Sequence, residues 1–273
     1  MRQTSEPLAF HKMHGLGNDF VIIDGRTQPV AMTQMLAREI ADRRTGIGCD
    51  QLIVLEPSDI ADVRMRIFNA DGGEVEACGN AARCVTLLLG DTPSIDTNGG
   101  PISGSLTDEG ATLDMGEPQF DWDKIPLAYA MDTLAMPVGW ESLENPVAVN
   151  VGNPHVIFFV DDIAAIDLER LGPLIETDPL FPERVNVNVA TVEADNSITL
   201  RVWERGAGLT RACGTGACAT TVAAIRRKLV DGETTVQLPG GDLHISWSPG
   251  GTIQMTGPAT HVFSGEFDIE AFA

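Results

Sequence analysis

Basic residues are scarce in this chain. It carries 18 Lys and Arg against 39 Asp and Glu, a formal net charge of −21 over 273 residues. A surface of that sign repels phosphate backbones, which excludes nucleic acid as a general partner. The acidic residues are scattered without a long run, so they read as a solvated surface. Long apolar runs are missing too. No stretch nears the ~20 residues of a membrane-spanning helix, so no membrane partner is expected. Residues 1–15 lack the apolar segment of a secretory signal. The 5 cysteines are odd in number and widely spread, unlike a disulfide framework, and a reducing, cytoplasmic location is expected. The chain has no GxxxxGK[ST] loop, no HExxH and no CxxC pair, and nothing marks a pyridoxal lysine. Neither a metal nor an organic cofactor is therefore expected.

What is present is organised around two similar stretches, Ala77-Cys78-Gly79-Asn80-Ala81-Ala82 and Ala212-Cys213-Gly214-Thr215-Gly216-Ala217. Each sets a Cys-Gly pair at the start of an apolar segment that reads as a buried helix. A cysteine there lies at the positive end of the helix dipole, where a thiolate is favoured and open N–H groups can hold an anion. Sliding the chain by 135 residues superimposes Cys78-Gly79 on Cys213-Gly214, Arg66 on Arg201, Gly17-Asn18 on Gly152-Asn153, and Gln51 on Asn186. Further on, Thr112–Met115 meets Thr252–Met255 at a shift of 140. Several matches in one register mark a duplicated unit.

Along the chain, a loose polar lead (residues 1–7) precedes a Gly-rich turn and the apolar run Phe20–Ile23. Thr33 caps a helix expected to reach Arg44, and the Cys78 helix is expected to end at Gly90. The pattern breaks around residues 117–126. The fold class expected is α+β, with two pseudo-symmetric domains, each a curved and largely antiparallel sheet around a central apolar helix. Residues 1–118, joined by a terminal strand at 263–273, form one domain, and residues 119–262 the other.

Two thiols facing one substrate from opposite sides suit inversion at a carbon. One removes a proton as thiolate, and the other returns one as thiol to the opposite face. The motifs MHGLGNDF (13–20), DGGEVEACGNAARC (71–84), GNPH (152–155), ERVN (183–186) and ERGAGLTRACGTGA (204–217) resemble those of diaminopimelate epimerase. That family is cofactor-independent and interconverts LL- and meso-2,6-diaminopimelate in lysine and peptidoglycan precursor synthesis. The resemblance implies Cys78 and Cys213 as catalytic thiols. It implies His155 and Glu204 as thiol-tuning groups, and the backbone of Gly79-Asn80 and Gly214-Thr215 as the α-carboxylate site. Asn18, Gln51, Asn69, Asn153, Asn186, Glu204 and Arg205 are implied to bind a small amino-acid substrate, and a homodimer is implied as well. Ala81 and Leu209 depart from the family's usual residues, at positions that match no ligand.

Other readings compete. Buried and inert is the ordinary state of an intracellular cysteine, and Cys49, Cys84 and Cys218 keep that reading. Asn18, Asn69 and Asn153 taken alone are turn residues, and His155 taken alone is equally a structural histidine. Glu204-Arg205 has a physical case, because a zwitterion needs both an anion and a cation. Rival functions are a proline racemase or hydroxyproline epimerase, a binding module on the same fold, and a redox sensor using Cys78 and Cys213. The many amide side chains favour the longer, more polar diaminopimelate.

Overall fold

The computed structural model describes residues 6–76 and 78–272. Residues 1–5 of the polar lead, Ala77 of the first cysteine motif and Ala273 lie outside the described residues. The chain divides into two compact units. The first runs to Leu113 and resumes at Pro258, and the second is Asp114–Gly257. The division falls upstream of the 118/119 boundary expected from sequence, because Met115 and Gly116 exchange backbone hydrogen bonds with Ile253 inside the second unit.

In the first unit the elements are β1 (Leu8–Gly15), β2 (Asn18–Asp24), α1 (Gln34–Ala41), β3 (Gln51–Glu56), β4 (Val63–Asn69), β5 (Glu74–Val75), α2 (Gly79–Leu89), β6 (Ser94–Thr97), β7 (Gly100–Thr107) and β8 (Gly110–Asp114). Strand β2 runs antiparallel to β1 and parallel to β3, and β4 is antiparallel to β3 and β5 but parallel to β6. The run Phe20–Ile23 is buried throughout. Val21, Ile23, Leu52 and Val54 share a core with Ala37, Ile40 and Ala41 of α1. Strand alternation sends Phe20, Ile22 and Ile53 to the other face.

Thr33 caps α1 as expected, its hydroxyl accepting from Leu36 N at 3.2 Å. The helix stops at Ala41, short of Arg44, because the Asp42 carboxylate takes the N–H groups of Arg44 and Thr45 at 2.8 and 2.7 Å. Helix α2 is buried from Gly79 to Thr86 and ends at Gly90, whose φ of 78° suits only glycine comfortably. Its one charged residue, Arg83, is fully buried.

The second unit repeats this order. A short hairpin of β9 (Gly139–Trp140) and β10 (Leu143–Glu144) comes first. There follow β11 (Val147–Asn150), β12 (Pro154–Phe159), α3 (Leu168–Glu176), β13 (Asn186–Val192), β14 (Ile198–Glu204), β15 (Gly208–Thr210), α4 (Gly214–Arg226), β16 (Glu233–Leu238), β17 (Gly241–Ser246) and β18 (Gln254–Gly257). The registers carry the duplication. Phe20 opposite Gln51 recurs as His155 opposite Asn186, and Val54 opposite Arg66 recurs as Val189 opposite Arg201. Helix α3, the counterpart of α1, has no sequence expectation behind it, and its Gly172-Pro173 pair disguises it as a turn. It packs Leu168, Leu171 and Ile175 against Val156, Phe158, Val187 and Val189. Helix α4 covers the opposite face, where Asn188 reaches it.

The last strand, β19 (Thr260–Phe267), belongs to the first unit and pairs antiparallel with β1 from Leu8–Phe267 to His14–Thr260. No helix among the described residues is long and apolar enough to cross a membrane.

Candidate active site

Both cysteines stand at the N-cap of their helices. Cys78 (φ −148°, ψ 110°) precedes α2, and Cys213 (φ −130°, ψ 106°) precedes α4, both with extended backbone. The first N–H groups of a helix have no carbonyl partner within it and suit an anion; in α4 that of Gly216 points at the Cys213 sulfur, 3.4 Å away.

Around Cys78 the first unit assembles two of the expected residues, Asn18 and Asn80. The thiol donates to Asn18 Oδ1 at 3.9 Å, and Asn80 Nδ2 donates to the same oxygen at 3.2 Å. Asn80 is held in turn by the buried Arg83, whose Nη2 donates to Asn80 Oδ1 at 2.9 Å. The other end of Asn18 donates from Nδ2 to Asp50 Oδ2 at 3.2 Å. That carboxylate also accepts Asp19 N–H at 3.1 Å and Arg43 at 2.7 Å. Burial by itself would raise the Asp19 carboxyl, but hydrogen bonds from Arg43 and Lys12 outweigh it and hold it at about 2. Asn18 is thus tied to a fixed ionic cluster rather than left as a loop residue.

Gln51 and Asn69 form a separate pair across β3 and β4, Gln51 Nε2 donating to Asn69 Oδ1 at 2.9 Å. Gln51 Oε1 is buried and has no hydrogen-bond partner among the described residues. A lone buried acceptor costs about 1–3 kcal/mol, which a bound donor recovers.

Around Cys213 the second unit is richer. The sulfur accepts from Gly216 N–H at 3.4 Å and lies 3.6 Å from Thr215 Oγ1. Thr215 Oγ1 meets His155 Nε2 at 3.1 Å and Asn153 Nδ2 at 3.3 Å. Burial pushes the Cys213 thiol well above its ordinary value, and the charge of Glu204 pushes it further. Glu204 is itself raised by burial, against a hydrogen bond from Thr210 at 2.5 Å. His155, fully buried, is pushed down to about 4 by desolvation and is neutral near pH 7.

Asn186 and Arg205 form the last pair. Asn186 Oδ1 accepts Arg205 N–H at 2.9 Å while its Nδ2 donates to Pro154 O at 2.9 Å. The exposed Arg205 guanidinium reaches the Glu183 carbonyl at 3.0 Å. The turn carrying Arg205 is pinned by Glu176, which takes Gly206 N–H at 3.0 Å and Trp203 Nε1 at 2.7 Å.

Among the contributors that escaped the sequence reading are Asp50, Arg43, Arg83, Glu176, Thr210 and Asn188, the last donating to Thr220 Oγ1 at 2.9 Å. One signal for Asn188 was available. It lies two residues after Asn186 in an otherwise apolar strand, hence on the same face. Arg83 offered a weaker one, as the lone charge in an apolar helix.

Comparison with known proteins adds a second line of observation. A family model described as diaminopimelate epimerase matches residues 10–121 and 147–262. A diaminopimelate epimerase of Rhizorhabdus wittichii is 67% identical over 264 residues, 96% of each chain. One of Zymomonas mobilis is 58% identical over 97% of this chain and 99% of its own. Among solved structures, a hydroxyproline epimerase of Agrobacterium vitis aligns with a TM-score of 0.68 at 15% identity, covering 97% of this chain and 93% of its own. A PhzF-family phenazine biosynthesis protein of Enterococcus faecalis aligns at 0.70 with 14% identity, over 96% of this chain and 99% of its own. These two share the α+β fold.

Proposed function

The chain belongs to the diaminopimelate epimerase family and is an isomerase of diaminopimelate; from that premise we propose that Cys78 and Cys213 are its acid–base pair. One sulfur, as thiolate, takes the proton from the α-carbon. The electron pair passes into the adjacent carboxylate as an enediolate-like carbanion. The second sulfur, as thiol, delivers its proton to the opposite face. The first thus ends as thiol and the second as thiolate, so protons and charge balance without a cofactor.

The observation carrying this reading is that equivalent cysteines cap equivalent helices in both copies of a duplicated unit. The backbone N–H groups of Gly79-Asn80 and Gly214-Thr215 are proposed to hold the carboxylate, where fixed dipoles stabilise the charge as it develops. Asn18, Gln51, Asn69, Asn153, Asn186, Glu204 and Arg205 are proposed to bind the rest of the zwitterion. The orphaned Gln51 Oε1 supports this, because it is an acceptor awaiting a donor. His155 and Glu204 tune the Cys213 thiol, which burial and Glu204 keep protonated and ready to donate. A cytoplasmic homodimer is part of the same proposal, and sedimentation of the purified protein distinguishes dimer from monomer.

The test uses reduced protein and meso-diaminopimelate in D₂O, followed by NMR. Deuterium uptake at the α-carbon with appearance of the LL isomer is expected. Cys78→Ala and Cys213→Ala should each abolish epimerisation with the fold intact by circular dichroism. Full turnover by either variant would end the two-base reading. Exchange with proline or 4-hydroxyproline alone would move the substrate to the rival class.

A further inference from the structure

The two copies of the fold agree in register but differ in what lies beneath their cysteine helices. Under α4 the second unit places three polar side chains, His155, Asn188 and Thr220, all fully buried. Shifting each back by the 135 residues of the duplication gives Phe20, Ile53 and Val85, also fully buried. One copy has an apolar wall at this depth where the other has a hydrogen-bonded chain. A buried polar chain that an apolar one replaces in the sister unit is not required by the fold.

The bond directions in that chain are fixed from its deep end. Asn188 Nδ2 lies 3.0 Å from the Gly216 carbonyl and 2.9 Å from Thr220 Oγ1. A carbonyl only accepts, so the amide orientation is settled and Asn188 Oδ1 is what faces His155 Nδ1, at 3.2 Å. Two acceptors cannot share a contact without a proton, so Nδ1 carries it. Desolvation pushes the imidazole down to about 4, so the ring is neutral and Nε2 is bare. Thr215 Oγ1, 3.1 Å away, then donates its single proton to Nε2. Asn153 lies with Oδ1 3.0 Å from the same nitrogen and Nδ2 3.3 Å from Thr215 Oγ1; a bare Nε2 requires that amide to be turned over, so that its nitrogen donates to Nε2 and its oxygen becomes a second acceptor for the Thr215 proton. With its proton committed, Thr215 has only lone pairs to offer Cys213, 3.6 Å away.

We propose that Asn188 is a positioning residue for the Cys213 thiol: it fixes the His155 tautomer, which commits the Thr215 proton and leaves Thr215 as an acceptor for the Cys213 S–H. The arrangement favours thiol over thiolate at this helix, because a hydroxyl that cannot donate does not stabilise the anion. The inference rests on the two-base reading, which needs one thiol and one thiolate at the same moment. A symmetric scaffold leaves the two sulfurs equivalent, and this chain of bonds makes them unequal.

The first measurement is made on wild-type protein and needs no variant. In ¹⁵N-histidine NMR, assigned by comparison with His155→Phe, the His155 Nδ1 signal is expected in the protonated range and Nε2 in the bare range. The reverse tautomer overturns the proposal. The second is Asn188→Asp, which puts a carboxylate against Nδ1 and favours the doubly protonated imidazolium. Nε2–H then donates to Thr215, which is freed to donate to sulfur. Alkylation by iodoacetamide, followed at each cysteine peptide across pH, should show the Cys213 midpoint falling by about one unit, with that of Cys78 unmoved. The charge that acts on this sulfur is Glu204 on β14, and the one that acts on His155 is Arg205; both remain in place, as does Arg211 two residues before the cysteine. A third variant, Asn188→Leu, should lower kcat about tenfold with KM within about twofold, whereas a merely structural residue would lower stability and leave kcat of the folded fraction unchanged. An unmoved Cys213 midpoint in folded Asn188→Asp refutes the proposal. Wild-type exchange of diaminopimelate in D₂O is run alongside. Its absence would remove the function while leaving the tautomer result standing, so the two failures are separable.

Discussion

Replacing Asp50 by alanine tests how Asn18 is held. The Asp50 carboxylate accepts three hydrogen bonds, from Asn18 Nδ2 at 3.2 Å, Asp19 N–H at 3.1 Å and Arg43 at 2.7 Å. Its side chain is 45% exposed and that of Arg43 is 58% exposed, so the ion pair is screened and contributes at most about 1 kcal/mol to stability. The Asp19 N–H can turn to water. The bond to Asn18 is different, because it decides which end of the amide faces the Cys78 thiol. A hydrogen bond to a charged acceptor is worth about 1.5–3 kcal/mol when buried, and exposure reduces that to about 1. Asn80 still holds the opposite end of the amide at 3.2 Å, so the orientation is weakened rather than lost. About 1 kcal/mol is a factor of about five in orientation, and kcat/KM for α-proton exchange should fall by about that factor. The melting temperature should drop by only a few degrees. Asp50→Asn keeps one acceptor and should recover most of the activity. Exchange rates in D₂O and a thermal melt on the same samples decide the matter. Unchanged kcat/KM in Asp50→Ala would refute the link, and so would a loss matched entirely by unfolding.

Further expectations follow from other parts of the molecule. Gln51→Leu removes the orphaned buried acceptor and so should cost at most about 1 kcal/mol in urea unfolding, while KM rises about tenfold or more. Gly172→Ala places a methyl within 2.4 Å of the Trp203 ring and should destabilise by about 1–3 kcal/mol or more, read as a lower urea midpoint. His155 has a folded value near 4 against 6.5 when exposed, so the unfolded chain takes up its proton first. Its contribution to stability is present above about pH 6.5 and is lost as pH falls toward 4. In His155→Phe the slope of unfolding free energy against pH should be smaller by up to one proton across that window. An unaltered slope would mean that His155 is not held neutral.

The sequence made some features plain and hid others for physical reasons. The duplication was readable because register is carried by backbone and by apolar alternation, which survive in strands such as Phe20–Ile23 and Val156–Phe158. Cys78 and Cys213 stood out because a helix start has a polar and conformational signature of its own. Helix α1 was overextended because the carboxylate of Asp42 captures the following N–H groups, a local competition that apolar spacing does not register. Asp50 was missed because its partner, Asn18, lies across a strand pairing, 32 positions away in the chain.

Asn188 and Arg83 show a deeper limit. Burial cannot be read from residue type when polar groups are satisfied internally, as Arg83 is by Asn80 and by the Pro258 carbonyl at 3.3 Å. Such groups are costly to bury, so a core that keeps them in one copy and excludes them from the other is constrained by something besides packing. Ile53 and Val85 show that this register accepts an aliphatic pair at no evident cost to the fold. An Asn188→Ile, Thr220→Val double variant, copying two of the three first-unit residues, should therefore fold. Its cost is about 1–3 kcal/mol, for the buried His155 Nδ1–H left without an acceptor. Its epimerase activity should nevertheless fall at least as far as that of Asn188→Leu. A double variant as active as the wild type would show that the polar chain under α4 serves packing alone.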